Sequence, residues 1–132
     1  MSFLLDTHTY LWLIFEPNKM SQKVKESIKN ADNNIFVSVV TFWEISLKHA
    51  MGRLELKNCT SEELVEVTKK VNIDILSLKS QDAASFYHLP KMGHKDPFDR
   101  MIIWQAIQNQ LTLISKDREF DAYKSFGLKT LW

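Results

Sequence analysis

The stretch Ile35-Phe36-Val37-Ser38-Val39-Val40 decides the fold class of this chain. It is rich in β-branched side chains and almost continuously apolar, whereas a strand with one solvated face alternates apolar and polar residues. We therefore predict a strand over residues 35–40 that is covered on both faces. Strands of this kind occur in parallel sheets flanked by helices, so the stretch favours an α/β fold.

The segments on either side of this strand alternate between strand and helix patterns, as an α/β fold requires. Helix ends are marked by Ser21 and by the capping pair Thr60 and Glu63 at N-termini, and by Pro17 and Gly52 at C-terminal ends. Apolar runs predict four further strands, over residues 3–5, 73–78, 111–114 and 128–131. Apolar residues at helical spacing predict helices over 10–15, 21–31, 41–51, 60–70, 80–87 and 97–107, with a short helical turn over 119–123.

Length and composition set limits on the class of protein. The chain has 132 residues, which predicts one domain over residues 1–132. With 45% hydrophobic and 25% charged residues the composition is that of an ordinary globular protein, and disorder is excluded. The single cysteine, Cys59, favours a reducing compartment, and no apolar run approaches the roughly 20 residues of a membrane span. We expect a cytoplasmic protein that does not enter a membrane.

Acidic side chains fall where the predicted strands end. Asp6 follows the first strand, Glu44 comes four residues after Val40, and Asp117 comes three residues after Ile114. Asp99 lies in the first turn of the helix that leads into the fourth strand. Ligands of a parallel sheet bind beyond the carboxyl ends of its strands, so these four carboxylates can converge at one edge.

A cluster of carboxylates is unfavourable unless a positive charge lies among them. Mg²⁺ or Mn²⁺ would supply that charge, because hard divalent cations prefer oxygen ligands and are commonly held by one or two carboxylates. Such a centre suits hydrolysis of a phosphodiester, since the cation orients and deprotonates water. With 17 basic and 16 acidic residues the chain has no global field, so any nucleic-acid binding must use local basic patches.

A purely structural interpretation of the same acids stays open at this point. Thr41-x-x-Glu44 has the form of a capping box, and Asp96 with Asp99 has a related form. Asp6 and Asp117 also precede predicted helices, where an N-cap contributes about 0.5 to 2 kcal/mol. Spacing alone does not separate helix caps from a catalytic cluster.

Four segments taken together resemble the PIN-domain family, and within it the VapC-like toxin ribonucleases of bacterial toxin–antitoxin pairs. They are residues 4–8 (LLDTH), 41–45 (TFWEI), 94–103 (HKDPFDRMII) and 115–120 (SKDREF). The resemblance covers nearly the whole chain in order, and the Asp-Pro-Phe-Asp-Arg stretch is its strongest single piece.

The resemblance implies a metal-dependent endoribonuclease on a three-layer α/β/α sandwich with a parallel sheet of about five strands. By motif match its catalytic acids are Asp6, Glu44, Asp99 and Asp117. Asp6 and Asp99 are the leading ligands of Mg²⁺ or Mn²⁺, with Asp117 completing the metal site directly or through water. Glu44 would hold or activate a water, and Ser115 would support the site.

The resemblance also implies partners: an RNA substrate, a small antitoxin that covers the active-site groove, and a second copy in a homodimer. Trp12 is a candidate antitoxin contact, whereas the spacing of Phe15, Trp43 and Trp104 favours core packing. We expect His8 to be structural. Cationic guides for RNA are found in the two segments that carry Asp99 and Asp117, namely Lys91, His94, Lys95, Arg100, Lys116 and Arg118.

Three other classes of protein agree less well with the sequence. A receiver-like phosphoacceptor would need an acidic pair near the first strand and an Asp after the third, but Asp6 stands alone and the 73–78 strand leads into Lys79. A haloacid-dehalogenase-like phosphatase would need a second Asp where His8 stands. A catalytically inactive PIN fold that only binds protein is disfavoured because all four acids are present.

Overall fold

Five parallel strands form the central sheet in the order β3-β2-β1-β4-β5. The structure, a computed structural model, describes residues 1–93 and 95–132. The strands are β1 (Ser2–Leu5), β2 (Asn34–Ser38), β3 (Asp74–Leu76), β4 (Thr112–Ile114) and β5 (Lys129–Leu131). The α-helices are α1 (Thr7–Phe15), α2 (Gln22–Lys29), α3 (Val39–Ala50), α4 (Ser61–Lys70), α5 (Ser80–Ser85) and α6 (Pro97–Gln108). Short 3₁₀ helices cover Pro17–Lys19, Phe86–His88 and Arg118–Phe126.

Both faces of the sheet are covered. Successive side chains of β1 point to opposite sides and pack into two different apolar clusters. Leu4 packs into one apolar cluster, with α6 residues such as Ile102 and Ile103. Phe3 and Leu5 pack into a second cluster, with Tyr10 of α1. This arrangement confirms the predicted three-layer α/β/α sandwich around a five-stranded parallel sheet.

The junction between β2 and α3 differs from the prediction of one strand over residues 35–40. The strand ends at Ser38, whose hydroxyl accepts a hydrogen bond from the Val40 N–H at 3.0 Å and so caps α3. Val39 and Val40 therefore form the first turn of the helix instead of extending the strand. A single N-cap side chain outweighs the β preference of the two valines here.

The orientation of α3 also differs from the sequence-based expectation for Trp43. Its buried side chains are Val40, Thr41, Glu44 and Ile45, whereas Trp43 is 64% exposed and contacts Phe98 edge-on. The inward face of α3 thus combines the apolar Val40 and Ile45 with the polar Thr41 and Glu44, and Trp43 lies outside it. By contrast Trp104 is buried, as predicted.

Other predicted boundaries are close to the observed ones. Ser21 caps α2, and Thr60 and Glu63 form the predicted capping box at α4. The helix predicted over 80–87 is α5 continued by the 3₁₀ helix Phe86–His88. Over residues 1–93 and 95–132, none of the helices has the length and hydrophobicity of a bilayer span.

Candidate active site

The candidate site lies where the strand order changes direction. Strands β2 and β3 extend from one side of β1, and β4 and β5 from the other, so the crevice beyond the carboxyl ends of β1 and β4 is the topological switch point. Leu5 pairs with Ile114 in register, which places Asp6 beside Ser115. The Asp6 N–H donates to the Ile114 carbonyl at 3.1 Å and fixes the first acid at this point.

Asp6 is a buried carboxylate that also caps α1. It is 5% exposed, and its Oδ1 accepts a hydrogen bond from the Thr9 N–H at 2.8 Å. Burial raises the pKa of Asp6, while hydrogen bonds from Ser115 and Thr9 act in the opposite direction. The predicted cap role is therefore real, yet one cap does not account for a carboxylate kept almost wholly out of water.

Asp117 and Asp6 share a groove with a volume of about 460 Å³. Asp117 is exposed, and its N–H donates to the Ser115 hydroxyl at 3.0 Å. Its carboxylate accepts from the Glu119 N–H at 2.9 Å, as an N-cap of the 3₁₀ helix that follows. Ser115 thus contacts both acids, which is the supporting position expected of it. The other groove-lining residues are His8, Trp12, Lys116 and Arg118.

Glu44 is buried but hydrogen-bonded through both carboxylate oxygens. Its Oε1 accepts from the Thr7 hydroxyl at 2.7 Å, and its Oε2 is ion-paired with the Lys48 ammonium. Thr7 also shares a hydrogen bond with the Thr41 hydroxyl at 3.1 Å. The predicted Thr41/Glu44 capping box is wrong, because Ser38 caps α3 and leaves Glu44 one turn inside the helix.

The start of α6 brings two further acids to this region. Asp96 is an N-cap, as predicted, and accepts from the N–H groups of Phe98 and Asp99 at 2.8 and 3.2 Å. Asp99 is half-buried in the first turn. Burial acts to lower the pKa of Lys48, but its hydrogen bond to Glu44 and the carboxylates of Glu44, Asp96 and Asp99 outweigh that effect and raise it.

The four predicted acids therefore fall into two linked groups. Asp6 and Asp117 face the groove, whereas Glu44 and Asp99 lie near Lys48, and Thr7 joins the groups because it follows Asp6 and donates to Glu44. Over residues 1–93 and 95–132, no three His, Cys, Asp or Glu side chains form a ready-made metal cage. The all-carboxylate donor set still fits a hard cation such as Mg²⁺, which needs only one or two carboxylates and keeps its waters.

Sequence reasoning missed the contacts by which Thr7, Thr41 and Lys48 hold Glu44. The signal for Lys48 was present, since a Glu followed four residues later by a Lys predicts an ion pair on one helix face. Thr7 and Thr41 had no such signal, because their contact joins α1 to α3 across the sheet edge. Only the tertiary fold brings the two hydroxyls together.

The predicted cationic guides lie in two places. Lys116 and Arg118 are exposed beside Asp6 and Asp117, and the Lys116 ammonium stands 6.0 Å from the centroid of the Trp12 ring. His8, expected to be structural, is exposed in the same groove. Lys91, Lys95 and Arg100 line a separate cavity of about 280 Å³, and His94 falls outside the described residues.

Comparison with known proteins defines the class to which this fold and site belong. The PIN domain family matches residues 3–125, and the chain belongs to that family. This membership removes the receiver-like and haloacid-dehalogenase-like alternatives. The chain is 26% identical over 129 residues to Ribonuclease VapC22 of Mycobacterium tuberculosis, covering 98% of this chain and 97% of that protein.

Solved structures with the same fold include the following two. One is VapBC2 from Rickettsia felis bound to a promoter DNA fragment, with a TM-score of 0.71, 17% identity and coverage of 99% of this chain and 98% of the other. The second is VapBC-5 from Mycobacterium tuberculosis, described as a member of the VapBC family of toxin-antitoxin systems. Its TM-score is 0.57 at 17% identity, covering 98% of this chain and 95% of the other.

Proposed function

We propose that this PIN-domain protein is an endoribonuclease that hydrolyses RNA phosphodiester bonds and acts as the toxin of a toxin–antitoxin pair. The observation that carries the proposal is a buried carboxylate, Asp6, at a groove whose edge is formed by the exposed cations Lys116 and Arg118. The acidic centre suits a catalytic divalent cation, and the basic edge suits the phosphate backbone of RNA. The 26% identity to a protein named ribonuclease supports the same assignment.

We assign Mg²⁺ or Mn²⁺ to Asp6 and Asp99, with Asp117 as the third ligand directly or through water. When bound, such a cation supplies positive charge for the phosphoryl oxygens and lowers the pKa of water. The protein supplies the rest of the site. Ser115 holds Asp6 and the Asp117 backbone, and Glu44, fixed by Thr7 and Lys48, orients or deprotonates the attacking water.

The first experiment incubates the purified protein with tRNA, rRNA and mRNA in the presence of Mg²⁺ or Mn²⁺. We expect discrete cleavage products that EDTA abolishes and that Asp6→Asn lowers by about 10²-fold or more, the scale of losing one essential catalytic group. Asp32→Asn, an exposed aspartate, serves as the matched control. Intact RNA in every combination would refute the nuclease and favour a PIN fold that only binds protein.

The antitoxin is proposed to dock beside α1. An apolar groove lies between α1 and the loop 54–57, and both Trp12 and His8 line this groove as well as the one that holds Asp6. Because Trp12 lines both grooves, a peptide helix bound in the apolar groove would lie next to the active-site groove and could block access to it. The cytoplasm is the proposed place of action, because there the RNA is accessible and Cys59 stays reduced.

A further inference from the structure

The ion pair between Lys48 and Glu44 differs from an ordinary pair on a helix surface. The Glu44 side chain is 3% exposed and that of Lys48 is 35% exposed. The carboxylate is therefore buried, whereas the lysine side chain extends to the surface. With Thr7 on Oε1 and Lys48 on Oε2, the carboxylate is held at both ends. Removing the cationic partner of a buried carboxylate is strongly destabilising, unlike the loss of a surface ion pair.

Lys48 also lies in the electrostatic field of acids on two helices, α3 and α6, that carry predicted catalytic residues. Glu44 lies on α3, while Asp96 and Asp99 lie at the N-terminus of α6, and all three carboxylates act on the Lys48 ammonium. Lys48 therefore supplies, from the chain itself, a positive charge of the kind that a cluster of carboxylates requires.

We propose that Lys48 is a positioning residue of the nuclease site: its ammonium holds Glu44 in place and adds a fixed positive charge beside the carboxylates that would bind a divalent cation. The inference rests on the proposed function for its catalytic consequence. Because two cations repel each other, Lys48 weakens binding of the divalent ion. Because it orients Glu44, it also speeds turnover. Lys48 therefore acts in opposite directions on affinity for the metal and on rate.

The structural half of the inference is tested without metal or RNA. Thermal unfolding in EDTA is compared for wild type, Lys48→Met, Glu44→Gln and the double variant, with Lys69→Met as the matched control because its pair with Glu66 is exposed. We expect Lys48→Met to lower Tm clearly more than Lys69→Met, and Glu44→Gln to recover much of that loss in the double variant. Additive effects of the two substitutions would overturn the role of Lys48 in holding Glu44.

The functional half is tested by titrating Mn²⁺ into the RNA-free protein and by steady-state cleavage of RNA. We expect Lys48→Met to bind Mn²⁺ about tenfold more tightly, since one repelling charge is removed from a partly screened site. It should lower kcat with little change in KM, while Lys48→Arg restores both wild-type affinity and most of the rate. A uniform loss of binding and rate would indicate a merely structural role and overturn the proposal.

The proposal and the proposed function fail in different ways. A wild-type protein that binds Mn²⁺ and cleaves RNA, with Lys48→Met indistinguishable from Lys69→Met, refutes the role of Lys48 and leaves the nuclease intact. A wild-type protein that neither binds Mn²⁺ nor cleaves RNA refutes the nuclease and the catalytic half of the inference. In that case the melting temperatures of the two single variants and the double variant still decide whether Lys48 holds Glu44.

Discussion

Asp6 combines a local gain in stability with an electrostatic cost. Its hydrogen bond from Thr9 caps α1, but burial raises its pKa, so the folded protein holds the Asp6 proton more tightly than the unfolded chain does. Between the unfolded pKa and the raised folded pKa the native state binds more protons. The contribution of Asp6 to stability therefore falls as pH rises through that window, and it is least favourable at neutral pH.

The pH dependence of the Asp6 contribution to stability predicts how Asp6→Asn behaves in EDTA. The amide oxygen still accepts from Thr9, and no charge is buried, so we expect a higher Tm than wild type at neutral pH. The difference should shrink as pH falls below the raised pKa of Asp6, where wild type is also neutral. Circular dichroism melts over a pH series measure it, with the exposed Asp32→Asn as control. Equal melting temperatures of wild type and Asp6→Asn at every pH would contradict the prediction.

A buried chain of hydrogen bonds fixes α3 relative to α6. The Ser38 hydroxyl accepts from the Val40 N–H at 3.0 Å and donates to Gln105 Oε1 at 2.5 Å. Gln105 Nε2 donates onward to the Ser77 carbonyl at 3.4 Å. Both Ser38 and Gln105 are 0% exposed. The helices that carry Glu44 and Asp99 are thus joined by side chains that lie away from the groove.

Removing the Ser38 hydroxyl should therefore lower the stability of the fold. Ser38→Ala loses an N-cap and leaves a buried amide oxygen unpaired, and we expect a cost of about 2 to 4 kcal/mol in the free energy of unfolding. Ser21→Ala is the matched control, since Ser21 caps α2 near the surface, and it should cost only about 1 kcal/mol. Urea denaturation measures both values, and equal costs for the two variants would count against the Ser38–Gln105 link.

Elements with a local signal were predicted from the sequence, and those decided by tertiary contacts were not. The β-branched run around Phe36 and Val37 predicted the parallel sheet, and Pro97 after Asp96 located the start of α6. The assignment of Val39 and Val40 to β2 failed because apolar, β-branched residues fit a buried strand as well as the first turn of a buried helix. The sequence located Asp6 after β1 and Asp117 after β4, and these two acids share a groove. The position of Glu44 and Asp99 near Lys48 depends on how α3 meets α6, which has no local signal.

Along its outer side α3 presents an apolar face that is largely exposed in the described part of the chain. Val39, Trp43, Leu47 and Met51 recur at every fourth position and are 36, 64, 40 and 56% exposed. Residues at this spacing form one continuous stripe along a helix, and Phe98 extends it onto α6. We propose that a second copy of the chain covers the stripe, because two such helices related by a two-fold axis would bury identical apolar surfaces against each other.

The prediction for the dimer is that wild type sediments as a dimer and Trp43→Glu as a monomer at micromolar concentration. Trp43 lies mid-stripe, and an aromatic hot spot contributes about 2 kcal/mol or more to an interface, so the dissociation constant should rise at least about 30-fold. Tyr87→Glu is the matched control, because Tyr87 is 79% exposed on the separate 3₁₀ helix Phe86–His88. Sedimentation equilibrium over a range of concentrations gives the dissociation constants. A monomeric wild type, or a dimer that Trp43→Glu leaves intact, would exclude the α3 stripe as the interface.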